Sequence, residues 1–302
     1  MENLELAIAQ IKEELPGMTL LESEPLSQHC SFRIGGPARA IAVPSDVTSL
    51  SRICCVLKEH ELAPLMLGNG TNILFPDEGL QDVLLISTEK LTKLFLLPDG
   101  AIYAEAGVSL SRLASFAQQN GLKGLEFASG IPGTLGGGCR MNAGAYGGEL
   151  KDVITRVLYL DEDLSLRETE DPGFSYRHSR FSDTGCVVLA ASVSLHEDEE
   201  AAIRERMRSL MERRRASQPL DLPSAGSTFK RPAGGFAAAL IDQAGLKGCA
   251  VGGAMVSPKH AGFVVNRGGA AFEDVIRLME HIQETVFRTS GIELEPEVKI
   301  IR

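Results

Sequence analysis

Residues 130–148, GIPGTLGGGCRMNAGAYGG, hold eight glycines in nineteen positions. Glycine at that density weakens any helix or strand around it, because each one loses more backbone entropy on folding than any other residue. It is useful where the chain must take positive φ, or where a ligand must approach closer than a Cβ allows. Backbone N–H groups freed in this way can wrap a phosphate or diphosphate. A flexible linker is the alternative reading, but linkers are Gly/Ser-rich and solvated, whereas Ile131, Leu135, Met141 and Tyr146 are residues that prefer burial. The segment therefore points to a bound cofactor.

The common nucleotide motifs are absent from the chain. There is no G-x-G-x-x-G dinucleotide fingerprint, no G-x-x-x-x-G-K-[ST] phosphate loop and no G-x-S-x-G nucleophile elbow. Instead, Gly130, Gly133 and Gly136 recur every third residue. The usual nicotinamide-binding, triphosphatase and hydrolase classes lose their support.

A chain of 302 residues suggests about two domains. Its net charge of −10 argues against a general nucleic-acid binder, which needs a basic face for phosphates. A local basic pocket for a small anion is still compatible with that charge. The cysteines at 30, 54, 55, 139, 186 and 249 form no C-x-x-C pair and no zinc spacing. They read as reduced thiols, with Cys54 and Cys55 acting as small hydrophobes in a helix. The opening MENLELAIAQ lacks a signal-peptide pattern, and no uncharged run is long enough for a membrane span. The expectation is a cytoplasmic protein with no membrane insertion, no nucleic-acid partner and no metal.

Periodicity organises the chain. Leu4, Ile8, Ile11 and Leu15 share a helical face over 3–15, stopped by Pro16-Gly17. Ser45 or Asp46 is placed to cap a helix carrying Val47, Leu50, Ile53, Cys54 and Leu57. Apolar runs at 83–86, 93–97, 101–106, 153–160 and 186–195 read as strands, and Ser109 caps a helix closed by Asn120-Gly121. The stretch 197–215 opens with four acids and ends with three arginines, the polarity a helix dipole favours. Beyond it come a helix at 235–244, strands near 249–256 and 261–266, a helix at 271–289 and a strand at 298–301. The expected class is α+β, with a domain boundary at residue 197.

Four further segments carry chemistry-bearing residues. Gly68-Asn69-Gly70-Thr71-Asn72 suits a strand-end turn holding a polar ligand group, with a plain hairpin turn as the alternative. Tyr176-Arg177 pairs an aromatic with a guanidinium able to grip a carboxylate bidentately. In PSAGSTFKRP, Ser227 stands near Lys230 and Arg231, two cations that suggest an anionic substrate. Glu297 alternates with Val298 and Ile300 on an apparent terminal strand. Each signal is weak by itself: surface ion pairing, a turn serine and a solvated glutamate account for them singly.

Taken in order, these motifs resemble the UDP-N-acetylenolpyruvoylglucosamine reductase family almost end to end. The resemblance runs through SFRIGGPA at 31–38, LGNGTNILFPDEG at 67–79, GLEFASGIPGTLGGGCRMNAGAYGGE at 124–149, YRHSRF, SAGSTFKRP, the AGLKG…GGAMVS…HAGFVVN series and EPEVKII. It implies a vanillyl-alcohol-oxidase (PCMH-type) FAD-binding fold over 1–196, in subdomains of about 1–65 and 66–196, with a C-terminal α/β substrate domain over 197–302. It implies FAD held against Gly68, Asn69, Gly70, Thr71, Asn72, Ile131, Pro132, Gly133, Gly136, Gly137, Asn142, Gly144 and Ala145. Arg177, Ser227 and Glu297 take the family's catalytic positions. Tyr176, Lys230 and Arg231 are the expected substrate contacts.

The implied reaction reduces UDP-N-acetylglucosamine enolpyruvate to UDP-N-acetylmuramate, with NADPH as co-substrate, in peptidoglycan precursor synthesis by a monomer. The chain departs from the family at Arg231, where many relatives have asparagine, and at Lys299, where relatives often have arginine. The strand after YRHSRF follows almost at once, as in the shorter branch that lacks a tyrosine-bearing insertion. The competing expectations are another FAD-dependent oxidoreductase of the same fold, or a flavin- or sugar-nucleotide-binding protein without turnover.

Overall fold

A computed structural model describes residues 2–233 and 235–302, and they divide into two compact units. The first comprises 1–22, 39–69 and 81–213, and the second 23–38, 70–80 and 214–302. Both units are discontinuous in sequence. Relative to a linear division at 197, segments 23–38 and 70–80 group with the C-terminal residues, and 197–213 groups with the first unit.

The first unit is built on two sheets. Strands Thr19–Pro25, Pro37–Val43, Leu80–Ser87 and Leu65–Leu67 follow one another in a four-stranded sheet. Leu65–Leu67 runs parallel to its neighbour, with Leu65 opposite Leu85. The helices Glu2–Glu14 and Val47–Glu59 pack together, contributing Leu4, Ile8, Ile11, Leu50, Ile53 and Leu57 to one core. Asp46 caps the second helix, its carboxylate accepting the Ser49 N–H at 2.8 Å while the Ser49 hydroxyl accepts the Asp46 N–H. That capping box fixes where the helix begins, in agreement with the Ser45/Asp46 signal.

The second sheet is antiparallel, in the order Leu166–Thr169, Ile154–Leu160, Val187–Val193, Ile102–Glu105, Leu94–Leu96. Its central strand, VVLAASV, reads as a near-continuous apolar run because it is buried on both faces. Val187 and Leu189 serve the core with the first two helices, and Val188, Ala191 and Val193 serve a second core. That second core takes Leu110, Leu113, Ala114 and Ala117 from the helix Leu110–Gln119, capped by Ser109 as its sequence indicates. It also takes Leu135 and Cys139 from a short helix, Leu135–Arg140, that lies inside the glycine-rich segment.

Elements not expected from sequence include this short helix and the strands Thr19–Pro25, Pro37–Val43 and Leu166–Thr169. The helix contains three glycines, each about 1 kcal/mol less favourable in a helix than alanine. Packing selects it. A Cβ on Gly136 would stand 2.8 Å from the Ala106 Cβ, so glycine lets the helix lie directly on backbone. The N–H groups of Leu135 and Gly136, unpaired within the helix, donate to the carbonyls of Val108 and Ala106 at 2.8 and 2.9 Å.

In the second unit, Ala250–Val251, Ala254–Val256 and Val264–Asn266 form a three-stranded antiparallel sheet. The helix Phe272–Ser290 packs on it, burying Val275, Ile276, Leu278, Met279, Ile282 and Val286 along one face. The helix Ala237–Gln243 packs against Phe272–Ser290. Lys299–Ile300 pairs in parallel with Ile73–Leu74, tying the end of the chain to the Gly70–Leu80 segment. The mixture of helices and mostly antiparallel strands is the α+β class expected. The helix Glu200–Ser217 buries Ile203 and leaves Met207, Leu210 and Met211 half-buried. Among the described residues no helix is long and apolar enough to cross a membrane.

Candidate functional site

In the first unit, the strand Leu65–Leu67 ends at Gly68, and the short helix begins after Thr134. Gly68, Thr88, Thr134, Gly136, Gly137 and Arg140 line one cavity, closed on its apolar side by Met66, Phe181 and Val188. A side chain at 68 would have its Cβ 2.5 Å from the Thr134 hydroxyl oxygen, so only glycine fits opposite that threonine. Thr134 is 2% exposed, and its hydroxyl oxygen finds no partner in the protein. Buried hydroxyls are normally hydrogen-bonded, so one facing a cavity without a partner calls for a polar ligand. Arg140 lines the same cavity and donates through Nη2 to the Ser182 carbonyl at 2.6 Å.

Of the expected cofactor residues, Gly68, Gly136 and Gly137 line this cavity. Ile131 and Gly133 are strapped to neighbouring backbone, the Gly133 carbonyl accepting the Leu110 N–H at 3.0 Å, and Pro132 is exposed. Gly144 and Ala145 pair with Glu149 and Gly148 in a tight hairpin. Asn142 is fully buried, and its side-chain amide bonds to the protein itself: Nδ2 donates to Glu149 Oε2 at 3.0 Å and to the Ser175 carbonyl at 2.9 Å. Asn69 is exposed.

Arg177 sits in the same unit. Its Nη2 donates to the Gly144 carbonyl at 3.0 Å, and its guanidinium lies 5.2 Å from the centroid of the Tyr176 ring. Arg177, Asn142 and Tyr146 all have left-handed backbone, at φ 54°, 44° and 55°. Non-glycine residues in that region are strained, and such strain gathers at functional sites. The neighbouring His178 is paired with Asp183 at 3.2 Å on the surface.

The second unit brings Ser227 and Glu297 together. The Glu297 N–H donates to the carbonyl of Thr228 at 2.8 Å, and the Lys230 N–H donates to the carbonyl of Glu295 at 2.8 Å. Phe229 and Pro296 bridge between them. Ser227 and Glu297 therefore stand on adjoining extended segments. Thr228 fixes the register from below: it is 1% exposed, its N–H donates to Gly262 and its hydroxyl accepts the Val264 N–H. Ser227 itself is exposed.

Asn72 reaches the same place. Its Nδ2 donates to the Glu297 carbonyl at 3.0 Å, and its own carbonyl accepts the Lys299 N–H at 2.9 Å. Glu297 is thus held through both its peptide N–H and its carbonyl. Gly70, at φ 59°, is buried against His29, and Thr71 is half-buried beside it. Lys230 forms an ion pair with Glu295, and Arg231 lies 4.3 Å from the centroid of the exposed Phe236 ring.

Two residues escaped the sequence reading. Thr134 and Arg140 stand within the motif but show no chemistry by residue type; the hint was only that Thr134 follows a glycine-bounded turn. The thiols inside the cores are inert. Burial, with Cys55 adding a smaller effect, pushes the Cys54 thiol up to about 12, and burial alone pushes Cys139 to about 12.

The residues of the cavity fit FAD: an unpaired buried hydroxyl, a glycine at the point of closest approach and a guanidinium are the groups an anionic, polar cofactor engages. Comparison with known proteins gives the same direction. The family model described as an FAD binding domain matches residues 38–169, and the one described as the C-terminal domain of UDP-N-acetylenolpyruvoylglucosamine reductase matches 218–301. A protein of Caldanaerobacter subterraneus named UDP-N-acetylenolpyruvoylglucosamine reductase is 45% identical, covering 98% of each chain. One of that name from Agathobacter rectalis is 44% identical, over 97% of this chain and 98% of its own. The crystal structure of the corresponding reductase from Thermus caldophilus superposes with a TM-score of 0.80 at 32% identity, covering 94% of this chain and 99% of the other. An alkyldihydroxyacetonephosphate synthase, at 14% identity and TM-score 0.50 over 64% of this chain and 40% of its own, shares the fold alone. The fold is the vanillyl-alcohol-oxidase (PCMH-type) FAD-binding architecture with a C-terminal α/β domain, and the chain belongs to the UDP-N-acetylenolpyruvoylglucosamine reductase family.

Proposed function

We propose that this protein reduces UDP-N-acetylglucosamine enolpyruvate to UDP-N-acetylmuramate at the expense of NADPH, a step of peptidoglycan precursor synthesis. When bound, FAD would supply the hydride-transfer chemistry that links NADPH to the enolpyruvyl substrate. The chain's own residues do the rest. Thr134 and the backbone around Gly68, Gly136 and Gly137 hold the cofactor.

Hydride arrival makes the adjacent substrate carbon carbanion-like, with charge spread into the substrate carboxylate. Arg177 grips that carboxylate bidentately. Glu297 polarises it through its carboxyl, a hydrogen bond that requires the protonated acid. The Ser227 hydroxyl gives the proton to the carbanion. A hydroxyl is a feeble acid, but a carbanion is a strong enough base to take its proton. Tyr176, Lys230 and Arg231 bind the remainder of the anionic substrate.

The observation that carries this reading is the backbone bond from Glu297 to the Thr228 carbonyl at 2.8 Å. It supports a proton donor and a carboxyl working on the same few atoms, although they lie far apart in sequence. A protein that only bound a flavin or a sugar nucleotide would need neither group.

The test is anaerobic and has two half-reactions. NADPH should bleach the flavin of the purified protein, and the enolpyruvyl substrate should restore the oxidised spectrum with UDP-N-acetylmuramate formed. Ser227→Ala should leave bleaching intact and slow reoxidation by roughly 10²–10⁴, the usual contribution of a positioned proton donor. Equal slowing of both halves would remove Ser227 from this role. Bleaching of the parent protein without recovery would replace the proposed substrate with that of another oxidoreductase of this fold.

A further inference from the structure

Asn142 lies in the glycine-rich segment, yet its side chain is turned into the protein. It is 0% exposed, at φ 44°. Its Nδ2 donates to Glu149 Oε2 at 3.0 Å and to the Ser175 carbonyl at 2.9 Å, and its Oδ1 accepts the Lys151 N–H at 3.0 Å. A primary amide has two N–H donors and one oxygen acceptor. Both donors are therefore engaged, and none is left to offer a cofactor.

The partners define the role. Ser175 and His178 close a tight turn through two backbone bonds, Ser175 N–H to the His178 carbonyl at 3.0 Å and the reverse at 3.3 Å. Arg177 is inside that turn at φ 54°, a conformation that costs a non-glycine residue energy unless its surroundings impose it. On the other side, Gly144–Ala145 pairs with Gly148–Glu149, and the Gly144 carbonyl accepts Arg177 Nη2. Asn142 joins the two: one donor grips Ser175 at the mouth of the turn, and the other grips Glu149 opposite Gly144. The Glu149 carboxylate, held below its usual range first by its bond to Lys151, is a charged and therefore strong acceptor.

We propose that Asn142 is a positioning residue for Arg177, locking the Ser175–His178 turn to the Gly144–Glu149 hairpin so that the guanidinium is presented in one orientation. This rests on the proposed role of Arg177 as the grip on the substrate carboxylate. Its consequence is selective, because NADPH oxidation does not involve that carboxylate.

The test uses the FAD-loaded full chain. Asn142→Gly is the informative variant, since glycine takes φ 44° without strain and only the side-chain bonds are lost. Flavin content and NADPH-driven bleaching should stay within about twofold of the parent, while reoxidation by the enolpyruvyl substrate falls roughly 10–100-fold, as expected for a small misplacement of a substrate-orienting group. In an Arg177→Ala background, Asn142→Gly should cost less than about threefold more, because residues acting through one another are non-additive.

Loss of FAD with parental reoxidation in the loaded fraction would overturn the proposal, as would full additivity with Arg177→Ala. If Asn142→Gly does not fold, Asn142→Asp, which keeps the acceptor and removes both donors, is read by the same criteria. Parental reoxidation in Arg177→Ala alone would remove the functional reading of Arg177 and this inference with it. Slow Arg177→Ala beside parental Asn142→Gly would remove this inference only.

Discussion

Thr134 carries a buried hydroxyl whose oxygen meets no protein partner, next to the one glycine that leaves room for it. An unsatisfied buried hydroxyl costs about 1–3 kcal/mol, and a hydrogen bond to a ligand recovers that cost only when the ligand is present. The two states of the protein should therefore respond to Thr134→Val in opposite directions. Without FAD, the variant should melt higher, because the unpaired oxygen is gone. With FAD, affinity should fall by roughly tenfold, the equivalent of one lost hydrogen bond of about 1.4 kcal/mol. Thermal melting of the cofactor-free protein and titration with FAD give the two readings. A variant that loses melting temperature without FAD and keeps its affinity would show that the hydroxyl serves the fold.

At the scale of elements, the short helix Leu135–Arg140 shows what packing can impose on an unfavourable sequence. Gly136→Ala gains up to about 1 kcal/mol of helix propensity. It also drives a Cβ to 2.8 Å from the Ala106 Cβ and 3.2 Å from its carbonyl, in the turn just after the strand Ile102–Glu105, where the Ala106 N–H is tied to the Leu189 carbonyl. Overpacking of that kind costs about 1–3 kcal/mol, so the substitution should lower the melting temperature of the cofactor-free protein by a few degrees. Gly137→Ala is the internal control. Its Cβ would meet only the Thr134 oxygen at 3.7 Å, so propensity should dominate and stability should hold or rise. Equal losses at both glycines would place the effect in the backbone rather than in the contact.

The same contrast explains which elements were legible. Val47–Glu59 and Leu110–Gln119 announce themselves by apolar period and by the caps Asp46 and Ser109, both local properties of the chain. The glycine helix and the strand Pro37–Val43, alanine-rich and opened by proline, exist because of what they pack against, which no local pattern contains. Side-chain direction was equally hidden. Sequence puts Asn72 and Asn142 in glycine-rich loops, but that one holds the Glu297 carbonyl and the other Ser175 depends on partners distant in the chain. Ser227 and Glu297 were singled out by their motifs, whereas their adjacency comes from the pairing through Thr228.

For the whole molecule, the buried thiols couple stability to alkaline pH. Cys54 belongs to the core under the first two helices and Cys139 to the core under the short helix, so titrating either disrupts a different part of the same unit. Both are pushed up to about 12 from an ordinary value of 9.0. Between those values the unfolded chain has lost the two protons and the folded chain keeps them. The unfolded state then binds fewer protons, so unfolding free energy falls as pH rises. The thiol contribution is fully present below pH 9, and each thiol then removes about 1.4 kcal/mol per pH unit up to its folded value. The half-buried phenol of Tyr103, raised by desolvation and next by Glu105, adds to the decline at higher pH still. Denaturant unfolding at pH 7, 9 and 10.5 should show a steep alkaline loss in the parent protein. The Cys54→Ala/Cys139→Ala double variant should start lower at pH 7, because two core side chains are truncated, and then fall less steeply above pH 9. Parallel curves for the two proteins would mean that the thiolates are accommodated in the folded state, and that the alkaline limit of this protein is set by tyrosine and lysine instead.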